Sequence, residues 1–171
     1  MEINVSDTQL RTAAENGAEE FATLIKDAIV EAAGGELNAE ALQALTADQV
    51  TLWGYFILRD EVMDGGFIQL IYNGYGLFFF RNPFARAIDG WGLTRLAQLV
   101  RKGHRLYDAH RTELEKERTD DEFMALFEQF PEFDDLDDEF VENEEEWTNA
   151  VAHYVDEHLD AFVNVVAAGR F

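Results

Sequence analysis

The sequence predicts an all-α protein, a single compact multi-helix domain over 1–171 with an acidic C-terminal helical layer. Three observations carry this. Apolar residues recur at three- and four-residue spacing along most of the chain, capping residues precede those stretches, and glycine or proline follows them. The chain is 171 residues long, 47% hydrophobic, with 14 Phe. That is enough for a sizeable core and argues against disorder despite a formal charge of -22.

Ser6 reads as the N-cap of a first helix, with Leu10, Phe21, Leu24, Ile25, Ala28 and Ile29 at helical spacing and Gly34-Gly35 as its stop. Asn38 opens a short segment carrying Leu42 and Leu45. Thr46-Ala47-Asp48-Gln49 has the form of a capping box, in which the Thr hydroxyl takes an early backbone N–H and Gln reaches back to the cap. The helix that follows is expected to bury Val50, Trp53, Phe56, Ile57 and Val62 and to end at Gly65-Gly66. Residues 67–80 fit two descriptions. Asn73-Gly74 between apolar runs is a type I′ hairpin signal, whereas Phe67, Leu70 and Ile71 fit a helical face.

Pro83 restarts the chain, and 94–118 predicts a long helix with Leu96, Leu99, Val100, Leu106, Tyr107 and Leu114 on one side. Its bases Arg95, Arg101, Lys102, Arg105 and Arg111 mostly take other faces. Thr119-Asp120-Asp121-Glu122 is a second capping box, with acids where a helix dipole favours them. Phe123, Leu126, Phe127 and Phe130 form the apolar side of that helix, and Pro131 ends it. The last helix is expected over about 144–168, with Trp147, Val151, Tyr154, Val155, Leu159, Phe162, Val163 and Val166 inward. There is no internal repeat and no Ser/Pro-rich linker.

Charge is distributed unevenly. Residues 1–80 carry 13 acids and 3 bases, residues 81–118 carry 5 acids and 9 bases, and residues 119–171 carry 17 acids against the single base Arg170. A soluble surface normally mixes both signs, so the C-terminal third is the unusual feature. Halophilic adaptation would spread acids evenly over the surface, which this chain does not do. The basic middle segment is expected to neutralise acidic layers of the fold rather than to bind nucleic acid, since a charge of -22 repels a duplex.

Other function classes find little support. Cysteine is absent, so disulfides, thiol catalysis and thiolate metal sites are excluded, in keeping with a cytoplasmic location. Met1-Glu2-Ile3-Asn4-Val5 lacks the features of a signal peptide. The most apolar window, 67–80, is too short to span a bilayer. His153 and His158 miss the spacing of paired metal ligands, and Ser6, the only serine, reads as a cap. No His-Glu-x-x-His, P-loop or dinucleotide fingerprint occurs, and the oxygen-rich 134–138 run does not follow the EF-hand pattern. The expectation is a non-enzyme without metal or cofactor. Glu61, beside the Gly65-Gly66 turn, is expected to cap a helix or to pair with an arginine such as Arg59 or Arg86.

The run Glu61-Val62-Met63-Asp64-Gly65-Gly66-Phe67-Ile68-Gln69-Leu70-Ile71-Tyr72-Asn73 resembles the signature of a bacterial family of acidic helical domains whose best-understood members are DNA-mimic proteins. Glu61, Gly65, Gly66, Phe67, Gln69, Tyr72 and Asn73 match the pattern, and Asp64 stands where Asn is more usual. The likeness extends through Asn82-Pro83-Phe84, giving a family-like core of about 46–118 followed by the acidic part, 119–171. The resemblance implies a helical fold, and hence a helical 67–73. It also implies a function: occupying the DNA-binding face of a transcription factor, often of helix-turn-helix type, or of a nucleoid protein.

That function must rest on the acids. Nine occur within 134–146: Asp134, Asp135, Asp137, Asp138, Glu139, Glu142, Glu144, Glu145 and Glu146. If helical, they occupy roughly 20 Å of axis, or about one charge per 2 Å. Duplex DNA carries one per about 1.7 Å. Leu136, Phe140 and Val141 are expected to anchor this segment to the body, Trp147 to pin its end, and Asp156 and Asp160 to extend the face. The expected partner is a basic DNA-binding protein, with no direct contact to nucleic acid or membrane. A homodimer is compatible with the sequence. The alternative is a generic acidic interaction or immunity-type protein whose basic partner has no tie to DNA.

Overall fold

A computed structural model describes residues 1–167. Phe21 and Val151 belong to one of its two compact units, formed by Met1–Phe56 with Glu145–Phe171; the other is Ile57–Glu144. The helices Ala47–Leu70 and Asp134–Glu157 contribute residues to both.

The first unit begins with a short strand β1 (Asn4–Ser6), which leads directly into α1 (Asp7–Asn16) through a capping box. Ser6 Oγ accepts from the Gln9 amide at 3.1 Å while the Gln9 side chain accepts from Ser6 N–H. The expected single helix is in fact two. Gly17, at φ 140°, separates α1 from α2 (Ala18–Ala32), a backbone conformation that a residue with a side chain rarely adopts. Asn38 caps α3 (Ala39–Ala44), and the Thr46/Gln49 capping box opens α4 (Ala47–Leu70). Gln49 is buried, and its side-chain amide donates to the Phe162 carbonyl at 2.8 Å. Ile25, Ile29, Leu52, Tyr55, Val151 and Val155 are fully buried in this unit, where the Tyr55 and Thr148 hydroxyls are hydrogen-bonded at 2.7 Å.

In the second unit the chain is helical through the ambiguous stretch. A wide π-turn at Ile71–Tyr75, relaxed by Gly74 at φ 92°, leads into α5 (Gly76–Arg81). The hairpin alternative is thereby excluded. Then come α6 (Phe84–Gly90), α7 (Thr94–Leu114) and α8 (Asp120–Gln129), the last capped by the Thr119/Glu122 box. A 3-10 turn, Pro131–Phe133, opens α9 (Asp134–Glu157). Phe67, Ile68, Ile71, Leu96, Tyr107, Phe133 and Phe140 are fully buried here.

The C-terminal end departs from expectation. The last helix starts ten residues earlier than position 144 and stops at Glu157. It is followed by a 3-10 turn, Leu159–Ala161, and a strand β2 (Asn164–Val166) paired in parallel with β1. Phe162 and Val163 are buried as expected, but from non-helical backbone. The end of the expected helix, Ala168, and the base Arg170 lie outside the described residues. No helix among the described residues is long and apolar enough to cross a membrane.

Candidate functional site

The segment 134–146 is helical, so the condition attached to its charge spacing is met. Its helicity follows from tertiary anchoring, because acids four apart repel one another along an isolated helix. Leu136 and Phe140, one turn apart, are buried in the second unit, and Trp147, Val151 and Val155 are buried in the first. Three acids fall in the first turn, where the helix dipole stabilises them. Val141 is a correction to the expected anchors: it is 51% exposed. One residue beyond Phe140, it is turned about 100° away from the buried row.

The nine acids do not form one uniform array. Asp134, Asp135, Asp138, Glu142, Glu145 and Glu146 are exposed, while Asp137, Glu139 and Glu144 are half-buried. Among the described residues, no cationic group lies within 4 Å of the six exposed carboxylates. Glu139 is 3.9 Å from Lys102 Nζ, and Glu144 is 3.9 Å from Arg59. Six charges over roughly 20 Å of helix give about one per 3 Å, near the 3.4 Å spacing along a single strand of duplex DNA. Asp156 and Asp160 are exposed residues of the first unit, with Asp160 beyond the end of α9.

Asp137 has a different role from its neighbours. Its Oδ1 accepts the Phe67 backbone N–H at 2.8 Å. The two-glycine break in α4, Gly65 at φ -145° and Gly66 at φ 73°, restarts the helix at Phe67, leaving first-turn N–H groups without intrahelical partners. A glycine has no side chain with which to cap its own helix, so the cap arrives from α9. The approach is close enough that a Cβ on Gly66 would overlap the Asp137 carboxylate. Burial pushes the Asp137 carboxyl up to about 6; the nearby Asp134 and Asp138 push the same way, and the Phe67 amide opposes them.

The rest of the signature forms a polar network beside this break. Glu61 accepts from the side-chain amides of Gln69 and Asn73, each at 2.9 Å, and Gln69 also donates to Asp64 at 2.9 Å. Glu61 therefore serves side-chain amides, in place of the helix cap or the arginine, Arg59 or Arg86, that the sequence leads one to expect. The Gln69 side chain folds over Gly65 so closely that a Cβ there would strike it. Tyr72 donates to the Arg118 carbonyl at 3.1 Å and packs on Phe123 with ring centroids 4.7 Å apart, holding the entry to α8. The family resemblance marked these residues as a group; nothing in the sequence indicated that the Phe67 amide finds its acceptor in Asp137 of α9.

The basic residues of α7 reach acids in three places: Lys102 meets Glu139 of α9, Arg101 meets Asp89 of α6, and Arg111 meets Glu115 just past the end of its own helix. That leaves Arg95 and Arg105 without a carboxylate within 4 Å among the described residues. Also among the described residues, no group of three or more His, Cys, Asp or Glu side chains is arranged to hold a metal ion.

Comparison with known proteins adds two findings. A family model described as DMP19-like protein matches residues 43–158. This extends well past the 46–118 core and includes all of α9. The DNA mimic protein DMP19 of Neisseria meningitidis serogroup B (strain ATCC BAA-335 / MC58) is 32% identical over 127 residues, covering 74% of this chain and 77% of the relative.

Proposed function

The chain belongs to the DMP19-like protein family, and on that footing we propose that it is a DNA mimic whose carboxylates occupy the DNA-binding face of a basic protein in the cytoplasm. The partner is a helix-turn-helix transcription factor or a nucleoid protein, and the action is steric and electrostatic, without catalysis. The observation that carries the reading is the exposed row on α9: six acids with no cationic group within 4 Å among the described residues, on a helix anchored by buried aromatic residues. A DNA-binding face draws much of its affinity from Lys and Arg meeting phosphate. A fixed carboxylate row meets the same cations but offers no base edges, so it blocks binding without reproducing sequence readout.

The test is competition. Purified helix-turn-helix transcription factors are bound to fluorescein-labelled operator duplexes, and release of the duplex is followed as the chain is added. Displacement from at least one factor is expected. It should weaken at least tenfold in the double variant Asp138→Lys/Glu142→Lys and fall steeply with salt. Asp137 is left unchanged because its carboxylate holds α4. If the chain releases no duplex, or the double variant releases it as well as the wild type, the reading is wrong.

A further inference from the structure

Resting on the reading of α9 as a face for a DNA-binding protein, we propose that Val141 is the apolar contact point of that face. There the partner's recognition helix meets hydrocarbon as well as charge. Within 134–144 the other large apolar residues of the helix, Leu136 and Phe140, are 7% and 0% exposed, whereas Val141 is 51% exposed. Its register places it on the edge of the acidic face: Asp134 lies two turns before it, Asp138 one turn before it, and Glu142 next to it.

Helix propensity does not select a valine at this position. A β-branched residue is a poorer helix former than Ala, Glu or Lys, and the surrounding exposed positions are acids. Half of the side chain is left in water where a polar residue would serve the helix better. The chemistry of the partner supplies a reason. Duplex DNA is more than a row of charges, because in the major groove thymine offers its methyl group to apolar side chains of the reader. A recognition helix built to meet that methyl carries hydrocarbon among its cations. Val141, beside three exposed carboxylates, presents the same pairing of a methyl surface with anionic flanks. Burying the exposed half of this side chain corresponds to about a three- to tenfold gain in affinity.

Val141→Ala and Val141→Asp separate this from charge alone, because the second adds a carboxylate to the face. The probes are a helix-turn-helix factor that the wild type releases from its duplex and a ten-lysine peptide that reads only charge. Both variants are expected to displace the duplex about three- to tenfold less well. Binding of the lysine peptide should be unchanged in Val141→Ala and unchanged or tighter in Val141→Asp. The position is exposed, and circular dichroism melting verifies that each variant is folded. If Val141→Asp displaces the duplex as well as the wild type while Asp138→Lys/Glu142→Lys does not, the contact is charge alone and the role of Val141 is overturned with the mimic reading intact. If the double variant also displaces normally, both fall together.

Discussion

Asp137 caps the helix that restarts at Phe67, accepting its amide hydrogen at 2.8 Å across the position where Gly66 lacks a side chain. The contact joins the signature to the acidic helix. Of the nine acids in 134–146, this one holds the helix in register so that its neighbours face outward. Removal of the acceptor is expected to expose its value. At pH 4, where the folded carboxyl is protonated and little of the ionisation effect has developed, Asp137→Ala should lose about 1–2 kcal/mol in denaturant unfolding, the cost of a buried N–H left without a partner. Asp137→Asn keeps an oxygen in place and should stay within about 0.5 kcal/mol of the wild type. Equal losses in the two variants would mean that packing, not the hydrogen bond, matters here.

The same carboxyl makes the clasp sensitive to pH. Its folded-state value of about 6 lies above the ordinary carboxylate value of 3.8. Between those values the unfolded chain has released the proton and the folded chain retains it, so the contribution of Asp137 to stability falls as pH rises. The fall begins near 4 and is complete above 6. Relative to the wild type, Asp137→Asn should therefore gain about 1–3 kcal/mol between pH 4 and pH 7, because it cannot ionise. Taking the difference between the two proteins cancels the other acids. A flat difference curve over that range would show that burial does not shift this group.

Gly66 cannot be replaced for two independent reasons: its φ of 73° and the carboxylate at the place of a Cβ. Gly66→Ala is expected to cost about 2–4 kcal/mol in denaturant unfolding, combining backbone strain with a disturbed cap. Gly34 also has a positive φ, but a Cβ there meets nothing within 4 Å. Gly34→Ala should cost only about 1 kcal/mol. Similar costs at the two sites would remove the steric part of the argument.

Local signals are legible in the sequence, and contacts across the chain are not. Ser6, Asn38, Thr46 and Thr119 cap helices as expected, since each of these interactions spans three residues. Gly17 does not announce the break, because a glycine between two apolar stretches of compatible spacing is tolerated inside a helix. The pairing of Asn164–Val166 with Asn4–Ser6 joins distant parts of the chain that no helical period connects. Asp137 and Asp138 are indistinguishable in sequence, and only the arrival of Phe67 N–H beside one of them divides cap from surface. The exposure of Val141 was legible, since it lies about 100° from Phe140 on a helical projection.

The exposed acids should oppose the stability of the fold that displays them. Asp134 and Asp138, like Asp138 and Glu142, stand four residues apart on α9, and such like-charged pairs cost about 0.2–0.5 kcal/mol each. A net charge of -22 adds a broader repulsion. Neutralising Asp138 and Glu142 as Asp138→Asn/Glu142→Gln is expected to stabilise the protein by about 0.5–1 kcal/mol at low salt. The gain should shrink by about half or more at 1 M NaCl, where charges more than roughly 3 Å apart are screened. The same variant should displace duplex from a helix-turn-helix factor less well, so stability and displacement move in opposite directions. A fold-driven role for these two carboxylates would reverse the first sign, and neutralisation would then lower the midpoint of unfolding.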